Sequence, residues 1–445
     1  MKTYRLTPAI IIFLLLIAFT IINPFTNLDL AVLALIIFVV VYKILGNYAL
    51  VVLLAARPIL DIWRDYIVFS YERYTINMNA AAALILLFWS IYFFYQNRTH
   101  WKEVPLRRIF LIFTIWCAAT FVWSQDRSST VTETIKAANL FALFGVTFIL
   151  NQIDKEQFKK RFAIAFLLAA VIPFLLAIYQ FFTHTGMDID GTSNRLYGTF
   201  AHPNILATFA LLIFIYFTRN RFNPNEPKLE NWLSNTILIF SLIFITLTYT
   251  RITWIGLALF LIILGMAKNW RLTTTTIIFG GLLYLSFFPI NSFLVRQFNI
   301  NLQENSLIAR VTSRNPEADS IKWRADVLNK VLPLWSVRPL QGYGYGAFAA
   351  VWDENKGAAN LWDNTSEAHN DYLKVGFESG IIGLGLFLLI FANLFYLAIK
   401  KRDLIFVTSI LVYLVLSASD NMLHHTPVIW WWFAIWGVWS AEEKR

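Results

Sequence analysis

The sequence predicts an all-α polytopic membrane protein, a bundle of about 12–14 transmembrane helices with one large, mostly helical extracytoplasmic loop domain. Three observations predict it. Hydrophobic residues make up 58% of the 445 and charged residues only 14%, well below the quarter or so usual for soluble domains. The apolar residues are spread along the whole chain, in runs of spanning or near-spanning length joined by short polar links. The net charge of +10 is unevenly placed: with a cytoplasmic N-terminus, the excess Lys and Arg fall in alternate links, such as Arg98 to Arg108, Lys155 to Arg161 and Lys400 to Arg402. This is the positive-inside pattern, so the basic charge reflects topology rather than nucleic-acid binding.

The 14 runs fall at about 8–24, 28–45, 47–60, 76–96, 107–123, 131–150, 161–183, 203–218, 234–250, 252–267, 272–290, 376–398, 403–419 and 427–440. They give three regions: transmembrane helices 1–11 in residues 1–290, a loop domain in 291–375 and helices 12–14 in 376–445. The third and last runs are short for full spans. The first follows Lys2 and Arg5, and leads into Asn23-Pro24 rather than a small-residue cleavage site, which reads as a retained helix. Cys117 is the one cysteine, so no disulfide within the chain is possible. Gly-x-Gly-x-x-Gly and phosphate-loop patterns are absent, and no nucleotide or other cofactor is indicated.

The outward links are chemically richer. Arg57, Asp61, Arg64 and Asp65 alternate in sign as surface ion pairs do. Arg195 leads into Gly198-Thr-Phe-Ala-His-Pro-Asn204, where Pro203 suits a first helical turn. His202 and Asn204 then read either as a helix cap or as an anion site at a helix N-terminus. Arg251 joins two spans with almost no loop between them. A cation there either snorkels to lipid phosphate or clamps an anion.

In the loop domain, Ser320–Trp335 reads as an amphipathic helix with Ile321, Trp323, Val327, Leu328, Val331 and Leu332 near 3.6-residue spacing, presenting Arg324 over the same region as Arg251. Arg338 precedes the glycine-spaced turn Gly342-Tyr-Gly-Tyr-Gly346. His369 and Asn370 then open a helix that re-enters the membrane on a face of Leu373, Gly376, Phe377 and Gly380. Lys374 and Glu378, four apart, read as a pair. An imidazole at the membrane boundary suits proton abstraction from a hydroxyl at neutral pH, and it is equally a residue type that serves as a hydrogen-bonded structural group. One His among Asp363, Glu367 and Asp371 is a weak metal signature, and no metal ligand is assigned. The last outward link adds Asp420, placed at the end of a span to orient His369 or an acceptor hydroxyl, together with His424 and His425. The tryptophans from Trp430 to Trp439 read as an interface belt.

His369-Asn-Asp-Tyr-Leu, Glu378-Ser-Gly-Ile-Ile-Gly383, Arg338-Pro-Leu with its Gly-Tyr-Gly turn, Gly198 to Asn204, Thr250-Arg251 and Arg324 together resemble the motif shared by bacterial O-antigen ligases and O-antigen polymerases. The resemblance covers roughly residues 190–390. It implies a C-type glycosyltransferase-like membrane enzyme in the bacterial inner (cytoplasmic) membrane, with both termini cytoplasmic and a periplasmic active site. The donor it implies is a glycan on undecaprenyl diphosphate. The acceptor is a second lipid-linked glycan for a polymerase, to which the span number leans, or a lipid A–core or protein hydroxyl for a ligase. His369 becomes the base, and Arg251 and Arg324 hold the diphosphate, with Arg195, His202, Asn204, Arg338, Asn370 and Asp420 in support. Membrane lipids and a chain-length regulator are the further partners. Inversion without metal or cofactor follows from the same resemblance.

A flippase or transporter of lipid-linked oligosaccharide would share the outward arginines. It would also place ionisable groups within its spans for ion coupling, and those spans are nearly charge-free.

Overall fold

The structure, a computed structural model, describes residues 38–64, 66–71, 74–189, 192–223, 230–268, 320–355 and 367–442. The runs expected at 8–24 and 272–290, most of 28–45, residues 291–319 of the loop domain and Asp363 lie outside the described residues. Among the described residues, six helices are long and apolar enough to cross a membrane: Phe38–Trp63, Met78–Gln96, Arg127–Ile153, Lys155–Thr183, Pro203–Phe222 and Asp371–Lys400. Asn231–Leu247, Arg251–Met266 and Leu404–Ser417 are shorter apolar helices.

Within Phe38–Trp63 the chain turns where the sequence divides two runs, at Gly46, whose φ is +58°. A single 3-10 turn, Gly46–Tyr48, then leads into α1 (Ala49–Leu60). The next helices are α2 (Met78–Gln96), α3 (Arg107–Ala119), α4 (Arg127–Ile153), α5 (Lys155–Thr183), α6 (Pro203–Phe222), α7 (Asn231–Leu247) and α8 (Arg251–Lys268). Two antiparallel hairpins interrupt the all-α pattern, Ile67–Tyr71 with Tyr74–Asn77 and Met187–Ile189 with Thr192–Arg195. Their residues lie in polar links, where alternation rather than apolar length sets the conformation.

Side-chain caps start several helices. Asn77 accepts from the Ala80 N–H at the head of α2, and Asp126 from the Ser129 N–H at the head of α4. Capping satisfies donors that a helix start leaves open.

The loop domain contributes α9 (Ser320–Val337) and α10 (Phe348–Asn355). The face of α9 that turns inward carries Val327 and Val331, which pack with Tyr343, Phe348, Trp352, Leu373 and Phe377 in a small second core. Leu328 and Leu332, expected on that face, are exposed. The chain then runs through α11 (Asp371–Lys400), α12 (Leu404–Ser417) and α13 (Thr426–Ser440).

Helix α13 corrects the reading of its tryptophans. Trp430, Trp431, Trp432, Trp436 and Trp439 are all buried, and the helix lies within the main core instead of forming a belt. A helix apolar on every side needs neighbours on every side. It meets α4 closely, since a Cβ on Gly437 would come within 2.4 Å of the Phe144 carbonyl oxygen. Thr147 Oγ1 donates to the Ala434 carbonyl and Asn151 Nδ2 to that of Val438.

At one end of the bundle, Arg219 near the close of α6 is fully buried. Its guanidinium meets Asp403 Oδ2 and Glu442 Oε2, each at 2.7 Å, and stacks over Trp439 at 4.6 Å. Lys159 Nζ lies 2.7 Å from Glu442 Oε1. Asp403 also caps α12 through the Phe406 N–H. These groups join α5, α6, the start of α12 and the C-terminal segment. Arg219→Ala is expected to cost about 3–5 kcal/mol, because two buried carboxylates lose their shared cation. Thermal unfolding in detergent should show a large fall in Tm, and an unchanged Tm would show that the cluster adds nothing net.

Candidate functional site

The site forms at the opposite end of α6. Arg57 and Asp61, expected as surface ion pairs, are buried there, at 1% and 4% exposure. Asp61 Oδ2 accepts the Ala201 N–H at 3.1 Å, and Thr199 Oγ1 donates to the Pro58 carbonyl at 2.7 Å. The end of α1 thus supports the Gly198–Asn204 loop. Arg57 Nη2 donates to Thr426 Oγ1 and the guanidinium lies over Trp430.

His202 is the cap of α6: its Nδ1 accepts the Asn204 N–H at 3.1 Å, with Pro203 in the first turn. Burial, followed by the Arg195 guanidinium, lowers the His202 imidazole to about 4. It is therefore neutral at pH 7, as an accepting Nδ1 requires. Asn204 is a junction. Its Oδ1 accepts from Arg195 Nη2 at 3.1 Å and from Thr250 Oγ1 at 3.2 Å, while its Nδ2 donates to Asp420 Oδ2 at 3.1 Å. Arg195 is buried and also donates through Nε to the Thr248 carbonyl at 2.9 Å. Arg251, the first residue of α8, directly follows Thr250 in this network.

From the other side comes α11. Asn370 caps it, accepting the Leu373 N–H at 3.0 Å, and donates from Nδ2 to the Ala418 carbonyl at 3.1 Å. Its own N–H donates to Asn421 Oδ1 at 3.2 Å. His369, just before the cap, has a φ of +46°, which is uncommon for a residue with a Cβ. That turn puts its Nδ1 3.7 Å from Asp420 Oδ1, with the ring 22% exposed. His425 Nε2 lies 3.1 Å from the same oxygen. Burial would raise the Asp420 carboxyl, but the His425 and His369 imidazoles beside it hold it well below the usual carboxylate range. Arg324 on α9 donates through Nε to the Ser419 carbonyl at 3.2 Å, next to Asp420.

The structure therefore brings Arg195, His202, Asn204, His369, Asn370, Asp420 and Arg324 into one connected region, with Arg251 beside it. Arg338 stands elsewhere: its guanidinium lies over Tyr343 and its carbonyl accepts the Gly342 N–H. That turn serves α11. Gly380, with φ +69° and ψ −176°, breaks the helix, and the freed Phe377 and Glu378 carbonyls accept the Tyr343 and Gly344 N–H groups at 3.1 and 2.8 Å. Ile381 N–H donates to the Pro339 carbonyl at 2.8 Å. Backbone groups released by the break are thus met inside protein, as they must be at membrane depth.

Lys374 pairs with Glu367 at 3.0 Å, where Glu378 was expected; the Glu378 carboxylate instead accepts the Phe348 N–H at 3.2 Å. Burial raises the Glu367 carboxyl, but Lys374 and then His424 outweigh it, and the net shift is downward. Asp371 accepts from the Leu423 N–H. His369, Glu367 and Asp371 thus face different partners.

The sequence reading named His425 without giving it a role, and took Arg57 and Asp61 for surface ion pairs. Their roles come from long-range packing, although the spacing of Asp420 and His425 in one short link was visible.

The arrangement can move a proton, through a partly exposed imidazole backed by a buried carboxylate, close to cations at two helix ends. A comparison with curated proteins finds no match. Residues 236–388, about a third of the chain and including Arg251, Arg324 and His369, match the family model described as O-antigen ligase.

Proposed function

We propose that the protein transfers a glycan from undecaprenyl diphosphate to an acceptor hydroxyl on the outer face of the cytoplasmic membrane. The observation that carries the reading is the His369–Asp420 pair, set between Arg324 and the Thr250–Arg251 junction. Nδ1 of His369 faces the carboxylate, and in this reading the imidazole takes the acceptor proton through Nε2. The acceptor oxygen attacks the anomeric carbon, the bond from that carbon to the diphosphate oxygen breaks, and polyprenyl diphosphate leaves with the electron pair. Attack opposite the leaving group inverts the centre. Arg251 and Arg324 hold the departing diphosphate, where fixed cations act most strongly in the transition state. The glycosidic bond to diphosphate carries the activation, so no nucleotide is needed.

The site end of α6 faces the periplasm in this reading, and the end with Arg219 and the basic links faces the cytoplasm, in accord with the positive-inside pattern. The loop region of residues 291–375 is extracytoplasmic in the same reading, and both termini are cytoplasmic. We favour a polymerase, whose acceptor is a second lipid-linked glycan; a ligase would use the same chemistry on a lipid A–core or protein hydroxyl.

Arg251→Ala and Arg324→Ala are each expected to lower kcat/KM for an undecaprenyl-diphosphate-linked donor about 10²–10³-fold. Steady-state transfer by purified variants of unchanged Tm measures this. Activity within twofold of wild type would remove the diphosphate clamp.

A further inference from the structure

Asp420 is shared by two imidazoles. Its Oδ1 lies 3.1 Å from His425 Nε2 and 3.7 Å from His369 Nδ1, while Oδ2 is held by Asn204 Nδ2. The carboxylate is buried, and of the two rings His425 is both the closer and the less exposed, at 11% against 22%. A buried carboxylate beside one imidazole would draw a proton onto it and spoil it as a base near neutral pH. A second, nearer imidazole changes that balance.

We propose that His425 is a positioning residue for His369, the two rings sharing the Asp420 carboxylate so that the charge on His425 fixes how strongly Asp420 draws a proton onto His369. The inference rests on His369 being the base. With His425 cationic, the Asp420 charge is already offset and His369 stands ready to accept a proton from substrate. Burial works against a charged His425, but Asp420 outweighs it and the imidazole titrates above its ordinary value.

The other groups around His425 favour the same state. Glu367, before the head of α11, adds negative charge, as does Asp371 when ionised. His202, neutral at pH 7, faces the same carboxylate. The opposing charges are Arg57, which donates to Thr426 Oγ1, next in the chain, and Arg195, which is linked to Asp420 through Asn204.

The test compares wild type, His425→Gln and His425→Lys, as full chains in detergent, by the pH dependence of glycan transfer and by histidine-selective ¹⁵N NMR of the 6 histidines. In His425→Gln the carboxylate acts on His369 alone. The acid limb of the rate profile and the His369 ring midpoint should both move up by about one pH unit or more, with activity recovered at higher pH. His425→Lys restores a cation and should bring both back toward wild type. If His425→Gln lowers the rate equally at every pH, with the His369 midpoint unmoved, His425 is structural and the proposal is overturned.

Should His425→Gln not fold, Asp420→Asn gives the second reading. The His425 midpoint should then fall, since its anionic neighbour is gone, and an unmoved His425 midpoint contradicts the shared carboxylate. Activity surviving in His369→Ala would instead remove the base assignment, while the ring midpoints would still report whether the two imidazoles are coupled.

Discussion

His369→Ala is expected to lower glycan transfer by about 10²–10⁴-fold, the range over which a positioned general base acts, with the helix bundle intact. The ring is partly exposed, and its Nδ1 lies 3.7 Å from Asp420 Oδ1. That carboxylate keeps His425 at 3.1 Å and Asn204 at 3.1 Å when the ring is removed. No large apolar surface is lost, so Tm should change little. The backbone at φ +46° is uncommon for either residue, since both carry a Cβ, and somewhat more so for alanine than for histidine. His369→Gln keeps the size without the basic nitrogen, and it should be as inactive as His369→Ala. Transfer by either variant within tenfold of wild type would show that the acceptor proton goes elsewhere.

The second large effect is expected at Gly380. Its φ of +69° with ψ near 180° is a backbone region open essentially only to glycine. A Cβ there would stand 1.9 Å from the Leu340 carbonyl oxygen and 2.2 Å from its carbon. These are backbone atoms of a turn that is itself fixed by Ile381, Tyr343 and Gly344 N–H bonds, so neither side can yield cheaply. Gly380→Ala is expected to cost about 3 kcal/mol or more and to displace the first half of α11, which carries His369 and Asn370 at its head. Folded yield and Tm should both fall, and the protein that survives should transfer poorly. Wild-type Tm in Gly380→Ala would mean that the break is not required. The comparison with His369→Ala is informative, since one variant should lose chemistry at constant stability and the other should lose both.

The apolar runs made the helices legible, because length and hydropathy decide what crosses a membrane whatever the packing. The break between 45 and 47 was readable as well, and it falls at the left-handed Gly46. Alternation in a half-buried surface helix was less decisive: α9 turns Val327 and Val331 inward but leaves Leu328 and Leu332 out. The tryptophans of α13 misled for a physical reason. Tryptophan suits both an interface and a close-packed core, and composition cannot distinguish them.

At the site, residue types pointed to His369, Asn204, Arg195 and Asp420 because amide, guanidinium and carboxylate groups are rare in so apolar a chain. Their junction at Asn204, which joins α6, the start of α8 and the α12–α13 link, depends on long-range packing that no spacing records. The same holds for Arg57 and Asp61. They looked like surface charges and instead support the Gly198–Asn204 loop from within.

The central claim is that this site moves a glycan from a polyprenyl diphosphate to a hydroxyl with His369 as base. The most direct measurement is transfer by purified wild type supplied with an undecaprenyl-diphosphate-linked repeat unit in the presence of EDTA, beside His369→Ala. The account predicts lengthening of the lipid-linked glycan by wild type, or transfer once a lipid A–core or protein acceptor is added, and release of undecaprenyl diphosphate in step with it. The variant should do neither. Wild type that binds the donor but releases no undecaprenyl diphosphate with any acceptor, or a variant that matches wild type, would contradict the account.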